Sequence, residues 1–174
     1  MVELVKQDYT KNKQMYTTVK SVLESKLSSS VVISHVGSTA IPSIIYGKNI
    51  IDVLVGVVDS TEFLNAYNII SSLGYIPSAN SKTDIYQFFA SKNHETSNGD
   101  THIHLVIMNT DRYNDFITLR DYLLTFPNEA IAYSDHKVEL VSSGITERKV
   151  YRATKSLFVE SLIDKARKWK SRQI

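Results

Sequence analysis

One carboxylate interrupts an otherwise apolar run. Over residues 49–58, Ile50, Asp52, Leu54 and Val58 alternate onto one face of a strand, and Ile51, Val53, Val55 and Val57 onto the other. Such a pattern predicts a central strand covered on both sides. An ionised carboxylate there costs several kcal/mol unless a partner meets it. Two readings follow. A metal ion or other cation faces Asp52, or Asp52 is a structural acid paired with Lys48, Arg120 or a backbone donor.

The preceding segment gives the first reading its interest. Val31-Val32-Ile33 leads a strand over about 31–36 into His35-Val36-Gly37-Ser38-Thr39, and a short helix is expected before the strand carrying Asp52. Backbone N–H groups at a small-residue turn after a strand point well for a phosphate, and the hydroxyls add donors. Small polar residues also make ordinary turns, so the signal gains weight only beside Lys48 and Asp52. His35, just before the glycine, lies near where that phosphate would sit.

Periodicity orders the rest. A helix is expected over about 9–27 on Met15, Tyr16, Val19, Val22, Leu23 and Leu27, and another after an Asp59-Ser60 cap, stopped at Gly74. Tyr75-Ile76 reads as a short strand. Ile85–Ala90 and His102–Ile107 read as strands joined by a polar hairpin loop containing Asn98-Gly99. Helices follow from Arg112 to Phe126, from Pro127 to Ser142, and after a Thr146 cap to the C-terminus. The prediction is one α+β domain: a small mixed sheet flanked by helices, with a helical C-terminal half. His102 and His104, two apart on a strand, share a face. They can bind a metal ion, contact an anionic substrate, or line a polar sheet face. His94 and His136 read as surface residues.

Composition narrows the chemistry. The 174 residues contain no cysteine, which excludes disulfides, zinc–thiolate sites and thiol catalysis. A metal would be held by Asp, Glu and His, favouring Mg²⁺ or Mn²⁺. No apolar run is long enough to span a bilayer, and the first residues lack the layout of an export signal; the expectation is a cytoplasmic protein without a membrane partner. From Ile145 onward nine Lys or Arg face three acids, a net +6 in a chain of net +2. That end is either a solvated basic helix or a phosphate-attracting patch. Nucleic acid is an unlikely partner, because aromatic platforms are not interleaved with these charges.

His35-Val36-Gly37-Ser38-Thr39-Ala40-Ile41-Pro42, Lys48 and Ile50-Ile51-Asp52 resemble the GrpB family, a domain that also occurs fused to dephospho-CoA kinase. Agreeing stretches are His102–Val106, Arg120-Asp121-Tyr122-Leu123, Pro127, Ala130, Tyr133, Lys137, Tyr151, Lys155 and Phe158. The resemblance implies a nucleotidyltransferase-like fold, in which a Gly-Ser turn holds nucleotide phosphates and strand carboxylates hold two Mg²⁺ ions. Gly37 and Ser38 match the turn, and Asp52 matches the first carboxylate. Leu54 stands where the second belongs, and His102 or His104 lies where a later acid is expected. Ser43 and Asn49 also replace a usual glycine and proline. One metal on Asp52 with a histidine is the resulting expectation, or none, with Lys48, Arg120 and Lys155 offsetting phosphate charge.

The candidate residues are therefore Asp52 and Lys48 for catalysis, and His35, Gly37, Ser38, Thr39, Arg120, Lys137 and Lys155 for a nucleoside triphosphate or related small phosphate ligand. Asp52, His102 and His104 are the candidate ligands for Mg or Mn. Two functions compete: metal-dependent transfer of a nucleoside monophosphate, and ligand binding by a catalytically degenerate module. A nucleic-acid or protein interaction domain using the basic C-terminal helix ranks third.

Overall fold

The computed structural model describes residues 1–91 and 100–173. Two short strands, β1 (Val5–Lys6) and β3 (Tyr46–Gly47), pair antiparallel with each other. The main sheet comprises β2 (Val32–Val36), β4 (Ile51–Val57), β5 (Ile76–Pro77), β6 (Tyr86–Ala90) and β7 (Thr101–Ile107), in the order β2-β4-β7-β6-β5. β4 runs parallel to β7 and antiparallel to β2. The helices are α1 (Tyr9–Glu24), α2 (Ser60–Ser72), α3 (Asp111–Thr125), α4 (Pro127–Ser142) and α5 (Arg148–Ser171).

The alternation on β4 assigns its two faces as expected. Ile51, Val53, Val55 and Val57 join Ile33, Phe89, Ile103 and Leu105 in a core closed by Leu23 of α1 and Phe63, Ala66 and Ile70 of α2. Leu54 points the other way, to Val36, Tyr86 and Val106, under Tyr113, Phe116 and Ile117 of α3. A third cluster matters most for function. Tyr122, Leu123, Ala130, Tyr133, Leu162 and Ala166 of α3, α4 and α5 enclose Ala40, Ile41 and Ile44, the residues after the Gly37 turn. Each fully buried aliphatic side chain contributes about 1.5–3 kcal/mol, so this cluster fixes the helical half of the chain beside the mouth of β2 and β4.

Local chemistry sets most boundaries. Asp59 caps α2 by accepting from the Glu62 N–H at 2.9 Å, and Pro127 opens α4 at its first position. Three expectations change. The short helix after Gly37 is one 3₁₀ turn, Ser38–Ala40. The cap of α5 is Glu147, which accepts from the N–H groups of Lys149 and Val150, in place of Thr146; a carboxylate there also meets the positive end of the helix. His136 is half-buried and stacked on Phe158 rather than at the surface. Asn98-Gly99 and His94 lie outside the described residues. No described helix is long and apolar enough to cross a membrane.

Candidate functional site

β2 ends at Val36, directly opposite Asp52. Gly37 then adopts φ 72° and ψ −172°, a region open essentially to glycine alone. A Cβ on Gly37 would also collide with Asp52 Oδ2. Conformation and close approach therefore both demand glycine. The exposed Gly37 and half-exposed Ser38 leave that carboxylate oxygen near the surface, and about a quarter of the Asp52 side chain is accessible.

The other carboxylate oxygen belongs to the histidines. Parallel pairing sets Asp52 opposite His102 and Leu54 opposite His104. Asp52 Oδ1 lies 3.3 Å from His102 Nδ1 and 3.4 Å from His104 Nε2. Tyr86 OH is 3.0 Å from His104 Nδ1, so both nitrogens of that ring are engaged. Phe88 and Phe116 pack around the imidazoles. Burial pushes the Asp52 carboxyl up in pKa, but the hydrogen bonds from His102 and His104 outweigh it and hold the group well below the usual carboxylate range. An ionised carboxylate only accepts, so the ring nitrogens that face it carry protons.

Basic side chains lie within electrostatic reach of Asp52. Lys137 of α4 is only 3% exposed, and its Nζ has no hydrogen-bond partner among the described residues. The amine rests 4.8 Å from the Tyr133 ring centroid. A Cβ on Gly47 would stand 3.2 Å from it, so glycine in β3 makes room. Burial pushes Lys137 down to a pKa of about 7, with Lys155 adding repulsion and Asp52 opposing. Lys48, next along the chain, sits over the Tyr151 ring at 5.4 Å. Burial lowers its pKa as well, helped by the charges of Lys155, Arg148 and Arg152 on α5. Lys48, Lys137 and Lys155 thus form one electrostatic group with Asp52.

His35, Thr39 and Arg120 are placed elsewhere. Val36 shares the Asp52 face, so His35 points to the opposite one. Its ring stacks on Tyr16 at 4.5 Å, and its Nε2 meets Thr39 Oγ1 at 3.0 Å. Arg120 donates to Asp121 Oδ1 at 2.7 and 2.9 Å. With Lys13 and Tyr16, His35 and Arg120 line a separate groove of about 380 Å³.

The metal expectation meets a poor donor set. Leu54 is fully buried in the core and supplies no second carboxylate. Among the described residues no three His, Asp or Glu side chains are disposed to hold a metal ion. Magnesium in particular favours oxygen ligands, and this corner offers one carboxylate with both imidazoles turned to it as donors. Among the described residues, this donor set does not fit a resident metal.

The sequence profile described as GrpB protein matches residues 1–165. The chain belongs to the GrpB family. The glutamate-rich protein GrpB of Alkalihalophilus pseudofirmus is 31% identical over 156 residues, covering 87% of this chain and 88% of that one. A UPF0157 protein of Vibrio cholerae is 30% identical over 134 residues, 77% of this chain but only 66% of the relative, just under two thirds of its length. The GrpB crystal structure from Enterococcus faecalis superposes with a TM-score of 0.83 at 19% identity, covering 97% of this chain and 99% of that one. The Cid1 poly(U) polymerase with MgGTP bound gives a TM-score of 0.50 at 13% identity, covering 78% of this chain and 44% of that one. The GrpB fold is therefore nucleotidyltransferase-like.

Two pieces of the site went unforeseen in sequence. Tyr86 joins the histidines only through the β6–β7 register, and Gly47 matters only because α4 crosses β3; neither leaves a mark in local pattern.

Gly37→Ala is expected to cost at least about 1–3 kcal/mol from backbone strain alone, measured by urea unfolding. Asp52→Ala in the same chain should recover part of the loss by relieving the collision, while leaving the strain. His35 gives a pH prediction. Burial and Arg120 push its pKa down to about 4 from 6.5, with Asp52 opposing. The unfolded chain therefore binds the extra proton between those values, and stability falls as pH drops through that window. Imidazole resonances should titrate near 4, and His35→Phe should flatten the decline.

Proposed function

We propose that this GrpB-family chain binds a nucleotide or related phosphate ligand at the mouth of β2 and β4, between the Gly37-Ser38 turn and the lysines of α4 and α5. One observation carries the reading: the Lys137 amine is buried without a hydrogen-bond partner among the described residues. A buried amine left without a hydrogen-bond partner is destabilising, and an apolar side chain could fill the same space without that cost. An incoming phosphate accounts for it. Lys155 adds positive charge within reach of Lys137 and Lys48, both of which feel Asp52, and the small residues of the turn allow a ligand close to the backbone.

Transfer of a nucleoside monophosphate is the second reading, favoured by the ionised, partly accessible Asp52 beside the turn. Its Leu54 neighbour weighs toward binding without turnover.

Lys137→Met separates ligand binding from a purely structural role. The variant should be more stable without ligand by about 1–3 kcal/mol, because a buried polar amine without a hydrogen-bond partner is gone. It should also lose the thermal shift that ATP, CoA or inorganic phosphate produces in the parent. A less stable variant that keeps its shift would make Lys137 structural. For turnover, label from α-labelled NTPs with Mg²⁺ or Mn²⁺ should reach an acceptor in the parent and not in Asp52→Ala; equal transfer by both removes Asp52 from any reaction.

A further inference from the structure

We infer that the phosphate ligand is held without a metal ion, its charge met by the ammonium groups of Lys137, Lys48 and Lys155. The inference rests on the phosphate-binding reading and concerns how that site works.

The first argument is subtraction. Asp52 is the acid whose charge reaches both Lys48 and Lys137. Its Oδ1 faces two imidazole nitrogens at 3.3 and 3.4 Å, which as donors have no lone pair to give a cation. His104 is engaged a second time by Tyr86. Leu54, immobilised in the core, leaves the remaining carboxylate position apolar. Among the described residues, a divalent ion between protein and phosphate would find one carboxylate oxygen not already facing an imidazole, Asp52 Oδ2.

The second argument is addition. Two lysines meet at β3: Lys137 of α4 brings its Nζ within 3.2 Å of where a Gly47 Cβ would stand, and Lys48 is the next residue along the chain; Lys155 of α5 lies within electrostatic reach of both. Lys137 and Lys48 each rest on a tyrosine ring, of Tyr133 and Tyr151. The ring faces offer them electrostatic support without hydrogen bonds, leaving their N–H donors for a ligand. Arg148 and Arg152 lie at the start of α5, within electrostatic reach of Lys48. Ammonium groups in a partly dry site interact with phosphate far more strongly than in water, so they can replace a cation that the carboxylates do not recruit.

Proton uptake is a consequence. The charged groups that act on Lys137 are Lys155 of α5 and Asp52 of β4, with Lys48 beyond Gly47. Burial, with repulsion from Lys155, pushes the amine down to a pKa of about 7, so it is partly unprotonated near neutrality. A bound phosphate reverses that balance, and Lys137 takes a proton from solution.

The test is calorimetric titration of the full chain with inorganic tripolyphosphate and with ATP, in excess EDTA and in excess MgCl₂. Binding in EDTA should be at least as tight as in magnesium. Lys137→Met and Lys155→Met should each weaken it at least about tenfold. Repeating the titration above neutral pH in buffers of different ionisation enthalpy should show proton uptake in the parent. Lys137→Arg should bind without that uptake, since arginine stays charged. Binding that requires magnesium and disappears in EDTA would overturn the inference while sparing the phosphate-binding reading. Should Lys137→Met fail to fold, Lys155→Met and Lys48→Met decide, and unchanged affinity in both overturns it. Failure of both probes under every condition removes the phosphate-binding reading, and this inference with it.

Discussion

The crowding of Asp52 against Gly37 governs the working end of this molecule. One oxygen of the carboxylate faces a turn that tolerates no side chain, and the other faces two imidazoles from the neighbouring strand. That contact ties the end of β2 to β4 and β7. Because the segment leaving the turn carries Ala40, Ile41 and Ile44 into the cluster of α3, α4 and α5, it also positions the helices that bring the lysines. Sheet, turn and helical half meet at one side chain.

The charges around it are unequal in kind. Asp52 is stabilised in its ionised form by donors that belong to the protein. Lys137 is not: its neighbours are a tyrosine face, a glycine and another lysine. A fold whose net stability is only about 5–15 kcal/mol rarely keeps a buried, unanswered cation without use. The acid is answered by donors of the protein, and the base, among the described residues, by no hydrogen-bond partner. A nucleotidyltransferase-like fold does not by itself fix the chemistry at this corner.

Much of the site was legible in sequence and some of it was misplaced. Strand alternation put His102 and His104 on one face, and the family resemblance grouped them with Asp52; the parallel β4–β7 register that brings them together came from the structure. His35 could not be assigned correctly from its nearness to the glycine. A residue one step before Val36 must face the opposite side of the sheet, and there it stacks on Tyr16. Arg120 was expected to meet Asp52 or a phosphate, but it donates to its adjacent acid, Asp121, at 2.7 Å. Sequence neighbours compete for a charge before distant residues can.

By itself, the sequence determined the α+β class, the order of helices and strands, the place of Asp52 within an apolar central strand and the absence of a second carboxylate at Leu54, because burial periodicity and residue identity are local properties. Only the tertiary structure decided which charges remain unanswered. Whether Lys137 meets an acid, a ring or nothing depends on where α4 crosses β3 and α5, a packing geometry spread over some hundred residues of chain and written in no single stretch of it.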